Sequence, residues 1–312
     1  MRFPYIAMVA LLVLASAPPR ASAQLPGSGG FALPLPAADS AGPPYTLKSV
    51  AVLPGALLPA SRIIAYYGNP LSTHMGILGE LPPDAMMAKL DATAQAWQRA
   101  DSTRRVLPAL QLIVSVAQDQ DHPGPDGKYR LRSSDSLIAR VASWAEKRGW
   151  LLFLDVQVGL STVPEELPHL LPWLRKPWVH LALDPEFAMT KGRLPGKYIG
   201  TLDARQVNYA IGVLAKLVDE EHLPPKVLVV HRFTEKMLTG YQEIVTDPRV
   251  QVVIDMDGFG PPTLKKNIYD YVVTRRPVQF AGLKLFYKND HPMLSFSDIL
   301  ALWPVPLYIQ YQ

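Results

Sequence analysis

The chain has 312 residues and no cysteine, with 48% hydrophobic and 19% charged residues. This composition is typical of a globular protein and excludes disordered, fibrous and disulfide-stabilised classes. The formal net charge is +4, and Lys and Arg are scattered among Asp and Glu without a basic stripe, so we expect no nucleic-acid partner.

The first residues look like an export signal. Arg2 supplies a positive charge, residues 6–14 form a short apolar run, and Ala-Ser-Ala at 21–23 is typical of a cleavage site. We therefore predict a signal peptide at 1–23 and a secreted or periplasmic location. A retained N-terminal anchor is the alternative. After cleavage, we expect no segment long and apolar enough to cross a membrane.

Residues 24–60 are rich in Pro, Gly and Ala, and "QLPGSGG" and "SAGPP" are typical of a tether or of irregular packing. From residue 62 onward, short apolar runs alternate with helical patterns. The eight candidate strands are 62–67, 107–116, 150–156, 178–183, 226–231, 250–254, 280–286 and 306–310.

Most of these runs are apolar on both faces, as in parallel strands covered by helices. Eight strands alternating with helices predict an α/β fold, a single (β/α)₈ TIM barrel over residues 61–312. An open doubly wound sheet is the competitor, but "YYGNPLS" after the first strand is not a glycine-rich phosphate turn. The last outer helix is expected to be missing, and the apolar part of 45–60 could cover that gap or the barrel floor.

Apolar residues at helical spacing predict amphipathic helices between the strands. One predicted stripe consists of Leu264, Ile268, Tyr271 and Val272. We expect these stripes to form the core.

Polar groups follow nearly every predicted strand, at the barrel end where active sites lie. The candidate catalytic carboxylates are Asp155 after the third strand, Asp184 and Glu186 after the fourth, and Asp257 after the sixth. Glycosidic bond cleavage requires one acid for the leaving oxygen and a second group as base, nucleophile or charge stabiliser. The candidate substrate-binding residues are Tyr66, Tyr67, His231, Lys284, Tyr287 and Gln310.

Plainer explanations exist for these residues. Asp155 and Asp184 could cap the following segments or form ion pairs, and His231 could be a buried structural histidine. Lys284 alternates with apolar residues, so we expect it to point into the barrel and to need a carboxylate partner. Asp255 and Asp257 should point the same way, and one of them should serve structure.

The sequence Asp184-Pro-Glu186 resembles the end of the fourth strand in chitinase-like glycoside hydrolases, and in the larger glycosidase clan whose acid/base glutamate ends strand four. This resemblance implies that Glu186 is the general acid and that Asp184 modulates it. The longer aspartate series of the first family is absent. The nucleophilic glutamate of the second is replaced by a region containing Lys284 and Asp290.

A broader resemblance covers residues 62–312. The segments "IIAYYGNP", "MGILGE", "LDVQVG", "LALDPEF", "VVHRF", "DMDGFG", "KLFYKNDHPMLS" and "YIQYQ" resemble an uncharacterised family of exported bacterial (β/α)₈-barrel proteins. The resemblance implies a single barrel domain with a shared mouth, and it implies no activity.

The leading functional hypothesis is an exported carbohydrate-active barrel, a glycoside hydrolase that acts on polysaccharide or cell-wall glycan without a cofactor. One alternative is a metal-assisted hydrolase with Asp155, Asp184, Asp257 and His231 as ligands. The other is a barrel that binds glycan without cleaving it. Serine-elbow hydrolases and nucleotide enzymes are disfavoured because their motifs are absent from the sequence.

Overall fold

The computed structural model describes residues 50–312. The predicted signal peptide at 1–23, and the 24–60 segment as far as residue 49, lie outside the described residues. Within residues 50–312, no helix has the length and apolar character needed to span a bilayer.

Eight parallel strands form a closed barrel with helices between them. The strands are β1 (Ser61–Gly68), β2 (Arg105–Ala117), β3 (Leu151–Val156), β4 (Val179–Leu183), β5 (Lys226–His231), β6 (Val250–Met256), β7 (Phe280–Leu285) and β8 (Tyr308–Tyr311). Each pairs with the next in parallel, and β8 closes the ring on β1, with Ile63 opposite Tyr308. The predicted (β/α)₈ barrel is therefore confirmed, and the strand limits agree with the sequence prediction to within two residues.

The helices lie between the strands along the chain. They are α1 (Ile77–Glu80), α2 (Pro83–Ala100), α3 (Asp135–Arg148), α4 (Val163–Glu166), α5 (Leu171–Leu174), α6 (Ala204–Glu220), α7 (Pro262–Tyr269) and α8 (Phe296–Leu300). The strand Arg130–Arg132 pairs antiparallel with the end of β2, and Leu202–Asp203 pairs with Leu238–Thr239. In the described chain, only Gln312 follows β8.

The stripe predicted around α7 is partly wrong. Leu264 is 40% exposed, whereas Lys265 and Tyr269 are buried. Lys265 can be buried because its ammonium donates to the carbonyls of Gly258 and Lys284 and pairs with Asp290 at 2.9 Å. A lysine satisfied in this way is compatible with the interior, which an apolar periodicity does not reveal.

The barrel interior changes from apolar to polar along its axis. Near the amino-terminal ends of the strands, apolar side chains such as Ile63, Phe153 and Val253 pack together with Leu58. The backbone amides of Leu57 and Leu58 donate to Gln251 Oε1 at 2.9 and 3.1 Å. This part of the 45–60 segment therefore covers the barrel floor, one of the two expected positions.

Candidate active site

Three carboxylates converge at the mouth, which is the carboxyl-end opening of the barrel. Asp184, Glu186 and Asp257 each offer an oxygen, and these oxygens lie within 4.8 Å of one another. Asp184 and Asp257 are buried, and Glu186 is partly exposed. We call these three residues the acid cluster. Two residues from the end of β4 thus meet one that follows β6.

The end of β4 explains how two of the carboxylates reach the mouth. Pro185 begins a single helical turn, Pro185–Phe187, and Asp184 Oδ1 caps it by accepting from the Glu186 amide at 3.1 Å. Asp184 Oδ2 accepts from Gln157 Nε2 at 3.1 Å. Both oxygens of Asp184 are therefore hydrogen-bonded, so the expected capping role is present.

Burial keeps protons on two members of the acid cluster. Burial, together with the charge of Asp155 and Asp257, raises the pKa of Asp184 from 3.8 to about 7, although His231 opposes this shift. Burial, followed by the charges of Asp184 and Asp257, raises the pKa of Glu186 from 4.5 to about 8. Glu186 is therefore protonated at neutral pH, which suits a general acid.

A fully buried histidine lies beneath the acid cluster. His231 Nε2 lies 3.0 Å from Asp155 Oδ2, and its Nδ1 lies 3.3 Å from Asp257 Oδ2 and 3.5 Å from Asp255 Oδ2. Burial lowers the pKa of His231, but Asp155 and Asp257 outweigh it and raise the pKa well above 6.5. The imidazolium therefore links a carboxylate below it to the acid cluster above it.

Gln111 connects this histidine to the rest of the buried interior. Its Nε2 donates to Asp155 Oδ2 and lies 3.1 Å from His231 Nε2. Its Oε1 accepts from Gln310 Nε2 at 2.7 Å and from the Tyr308 hydroxyl. The sequence analysis did not single out Gln111. The sequence did contain a signal for Gln111, because it is a polar residue at an inward-facing position of an otherwise apolar strand.

Asp255 is the second aspartate at the end of β6, and it points inward like Asp257, as expected. Burial, with the charge of Asp257, raises the pKa of Asp255 to about 7, against the opposing effect of His231. Gly282 on the neighbouring strand makes room for it, because a Cβ at that position would lie 2.6 Å from Asp255 Oδ1. Asp255 is fully buried, so its role is structural.

Lys284 points into the barrel as predicted, but its partner differs from the expected one. Its ammonium lies 3.7 Å from the centre of the Tyr67 ring. Among residues 50–312 it has no hydrogen bond or ion pair with a carboxylate. The Tyr67 hydroxyl accepts from Gln157 Nε2 at 3.3 Å, which fixes the ring beneath the lysine.

The structure places the predicted site residues in three positions: at the mouth, beneath the mouth and outside the barrel. At the mouth lie Asp184, Glu186, Asp257, Tyr67 and Lys284. Beneath it, with no exposed surface, lie Asp155, His231 and Gln310. The barrel encloses these three side chains, so the action of Asp155 on a substrate and the binding of one by His231 and Gln310 stay predictions.

Tyr66 and Tyr287, two of the predicted substrate-binding residues, lie outside the barrel and away from the mouth. The Tyr66 hydroxyl is 2.7 Å from Thr93 Oγ1 on α2 and 3.1 Å from the Tyr287 hydroxyl. Tyr287 stacks on Tyr311 at 5.3 Å. The reason is strand alternation: since Tyr67 points inward, its neighbour Tyr66 points outward.

The acid cluster is also the group that could hold a metal ion. Its three oxygens are hard ligands suited to Mg²⁺, Mn²⁺ or Zn²⁺. This set differs from the predicted one, because Asp155 and His231 pair with each other beneath the mouth.

No protein-family model matches the chain, and no curated protein matches it either.

Proposed function

We propose that the protein is an exported glycoside hydrolase that acts on polysaccharide or cell-wall glycan, with Glu186 as general acid. The observation that carries the proposal is the acid cluster at the barrel mouth, in which burial raises the pKa of Glu186 to about 8. A protonated carboxyl beside a second carboxylate is the pair that glycosidic cleavage needs. Export rests on the sequence of residues 1–23 alone.

Asp257 is the best candidate for the second catalytic group. Both oxygens of Asp184 accept hydrogen bonds, and Asp155 is enclosed beneath the mouth. Asp257 Oδ1 has no hydrogen-bond partner in the described part of the chain, and Oδ2 faces the His231 imidazolium.

The proposed reaction has two steps. Glu186 transfers its proton to the glycosidic oxygen while Asp257 attacks the anomeric carbon, so that the C–O bond breaks and a glycosyl ester forms. Glu186 then takes a proton from water, which attacks the same carbon and releases Asp257.

The spacing of the acid cluster favours this route over direct attack by water. Its oxygens lie within 4.8 Å of one another. Retaining enzymes hold their carboxyl groups ~5 Å apart, whereas inverting enzymes use ~6.5–9.5 Å to admit a water molecule. We expect the first-formed product to keep the anomeric configuration of the substrate, as followed by proton NMR during hydrolysis. An inverted product would assign the second carboxylate to a base role.

The proposal is tested by reducing-sugar release from a panel of polysaccharides and cell-wall glycans. Wild type should release sugar from at least one substrate, and Glu186→Gln should lower that rate by about 10²–10⁴-fold. Glu220→Gln, on the exposed end of α6, is the matched control and should retain full activity. No release from any substrate, or equal release by wild type and Glu186→Gln, would overturn the proposal.

Metal-assisted hydrolysis is the second candidate, favoured by the same three clustered oxygens. It requires that purified protein contain a stoichiometric divalent metal and that chelation abolish hydrolysis. Hydrolysis by metal-free protein, as verified by elemental analysis, would exclude it.

A further inference from the structure

Lys284 is a buried cation whose hydrogen-bond donors are unused. The residue is 5% exposed, and its ammonium lies over the Tyr67 ring at 3.7 Å and 5.2 Å from the centre of the Phe286 ring. No described residue accepts a hydrogen bond from it. We call Lys284, Tyr67 and Phe286 the lysine subsite.

The ammonium of Lys284 is directed toward β1 and makes no ion pair with the neighbouring carboxylates of the described chain. Lys284 belongs to β7, directly beside β6 with Asp255 and Asp257. Its ammonium nevertheless lies on Tyr67 of β1, on the opposite side of its strand from β6. The ammonium still acts on the carboxylates across the mouth, because its charge opposes the rise in the pKa of Asp184, Glu186 and Asp255.

The ring contacts compensate the lysine charge only in part. A cation–π contact contributes about 0.5–2 kcal/mol and leaves the three N–H donors of an ammonium free. A buried charge is stabilised most by an opposite charge that also accepts its hydrogen bonds. By contrast, the other buried lysine near Phe286, Lys265, already has Asp290 at 2.9 Å.

An aromatic rim extends the lysine subsite toward solvent. Phe259 packs edge-on against Phe286 at 5.9 Å and is 38% exposed. An exposed aromatic beside a hydrogen-bonding group suits a sugar ring, which has an apolar face and a polar edge.

We propose that the lysine subsite binds the carboxylate of an acidic sugar, so that the substrate is a glycan that contains uronic acid. This inference deepens the proposed function and rests on it.

The test compares binding of two matched ligand sets to the wild-type protein at pH 6. One set consists of oligosaccharides of glucuronate, galacturonate and mannuronate, and the other of the same oligosaccharides with their carboxyl groups reduced to alcohols. Calorimetry should show at least one uronate oligosaccharide binding about tenfold or more tightly than its reduced form. This comparison needs no variant, and equal affinities or no binding of any uronate would overturn the proposal.

Variants then assign the preference to Lys284. Lys284→Met, which keeps the length but not the charge, should lose about tenfold or more in uronate affinity and keep its affinity for the reduced ligand. Lys284→Arg should retain part of the preference. Lys288→Met is the matched control, since this exposed lysine pairs with Glu80 and should not affect binding. Unchanged uronate affinity in folded Lys284→Met would contradict the assignment.

The outcomes for the subsite and for the enzyme are distinguishable. Uronate binding without cleavage would support the subsite and count against the glycoside hydrolase. Cleavage of neutral glycans without a preference for uronates would support the glycoside hydrolase and count against the subsite.

Discussion

Glu186 and Asp184 lie two residues apart, yet their surroundings give them different tasks. Asp184 uses both oxygens to hold the turn and Gln157, whereas Glu186 lies at the partly exposed end of that turn. Both retain protons near neutral pH because burial disfavours their charged forms. The difference in hydrogen bonding, more than in pKa, points to Glu186 as the proton donor.

The pH dependence of activity should report this proton. The pKa of Glu186 is raised from 4.5 to about 8, so the acid form persists below pH 8 and is lost above it. We expect kcat/KM to fall as pH rises through about 8, with the apparent value shared with Asp184 because the two carboxyls interact. Activity that continues to rise between pH 8 and 10 would contradict the general-acid role.

Gln111 should be among the most important residues for stability in the barrel interior. Its amide group satisfies Asp155, Gln310 and Tyr308 together. Gln111→Leu removes the acceptor of Gln310 and Tyr308 and one of the donors to Asp155, which keeps His231. We therefore expect the free energy of unfolding to fall by about 3 kcal/mol or more. Urea denaturation measures the change.

Tyr308→Phe is the matched control for Gln111→Leu. It removes one hydroxyl from the same network and should lower the free energy of unfolding by only about 1 kcal/mol. A loss in Gln111→Leu no larger than the loss in Tyr308→Phe would show that the network adds little stability.

Which residues reach the mouth was only partly predictable from the sequence. Strand alternation correctly predicts that Lys284 points inward and that Asp255 and Asp257 share a direction. Strand alternation does not predict how far along the barrel axis a side chain lies. Asp155 and Gln310 were therefore predicted at the site, although they lie beneath it. Alternation also implies that Tyr66 and Tyr67 cannot both face the interior, a consequence that the prediction overlooked.

At the scale of elements, the strands were predictable because parallel strands buried on both faces are continuous apolar runs. The helix around Lys265 was less predictable. Its buried face includes a lysine whose partners come from a distant loop and from β7. Local periodicity has no information about such partners.

The segment that covers the barrel floor should contribute to stability through Leu58. This side chain has no exposed surface and packs inside the barrel. Leu58→Ala should lower the free energy of unfolding by about 2–5 kcal/mol, because the cavity would be enclosed by the strands. Thermal or urea denaturation would detect this loss.

Leu57→Ala serves as the comparison, since Leu57 is only partly buried against the same core. We expect a smaller loss than for Leu58→Ala. Equal losses would contradict the larger role assigned to the buried Leu58 side chain.

At the scale of the whole molecule, the barrel combines an apolar floor with a mouth rich in buried charge. The apolar half supplies packing, whereas the polar half holds carboxyl groups in a protonation state that water would not favour. A folded state that retains such protons must depend on pH.

Stability should therefore decrease as pH rises from 5 to 7. The pKa values of Asp184 and Asp255 are raised from 3.8 to about 7, so the stability they contribute is fully present below pH 3.8 and is lost toward pH 7. Glu186 acts in the same direction up to about pH 8. His180, whose pKa burial lowers well below 6.5, opposes them by one proton below pH 6.5.

Since the carboxyls outnumber His180, we expect the free energy of unfolding to fall by about 1 kcal/mol or more per pH unit in this range. Urea denaturation at pH 5, 6 and 7 measures the trend. Asp255→Asn should make it shallower, and a flat or rising profile in wild type would contradict the protonated cluster.

The most direct test of the proposed chemistry is the dependence of hydrolysis on the leaving group. Glu186→Gln and wild type would be compared on two aryl glycosides of the sugar that the protein cleaves. A dinitrophenyl leaving group needs no proton, whereas an unsubstituted phenyl group does. We predict that Glu186→Gln cleaves the dinitrophenyl glycoside at close to the wild-type rate and loses about 10²-fold or more on the phenyl glycoside. Equal losses on both substrates would contradict the assignment of Glu186 as the general acid of this barrel.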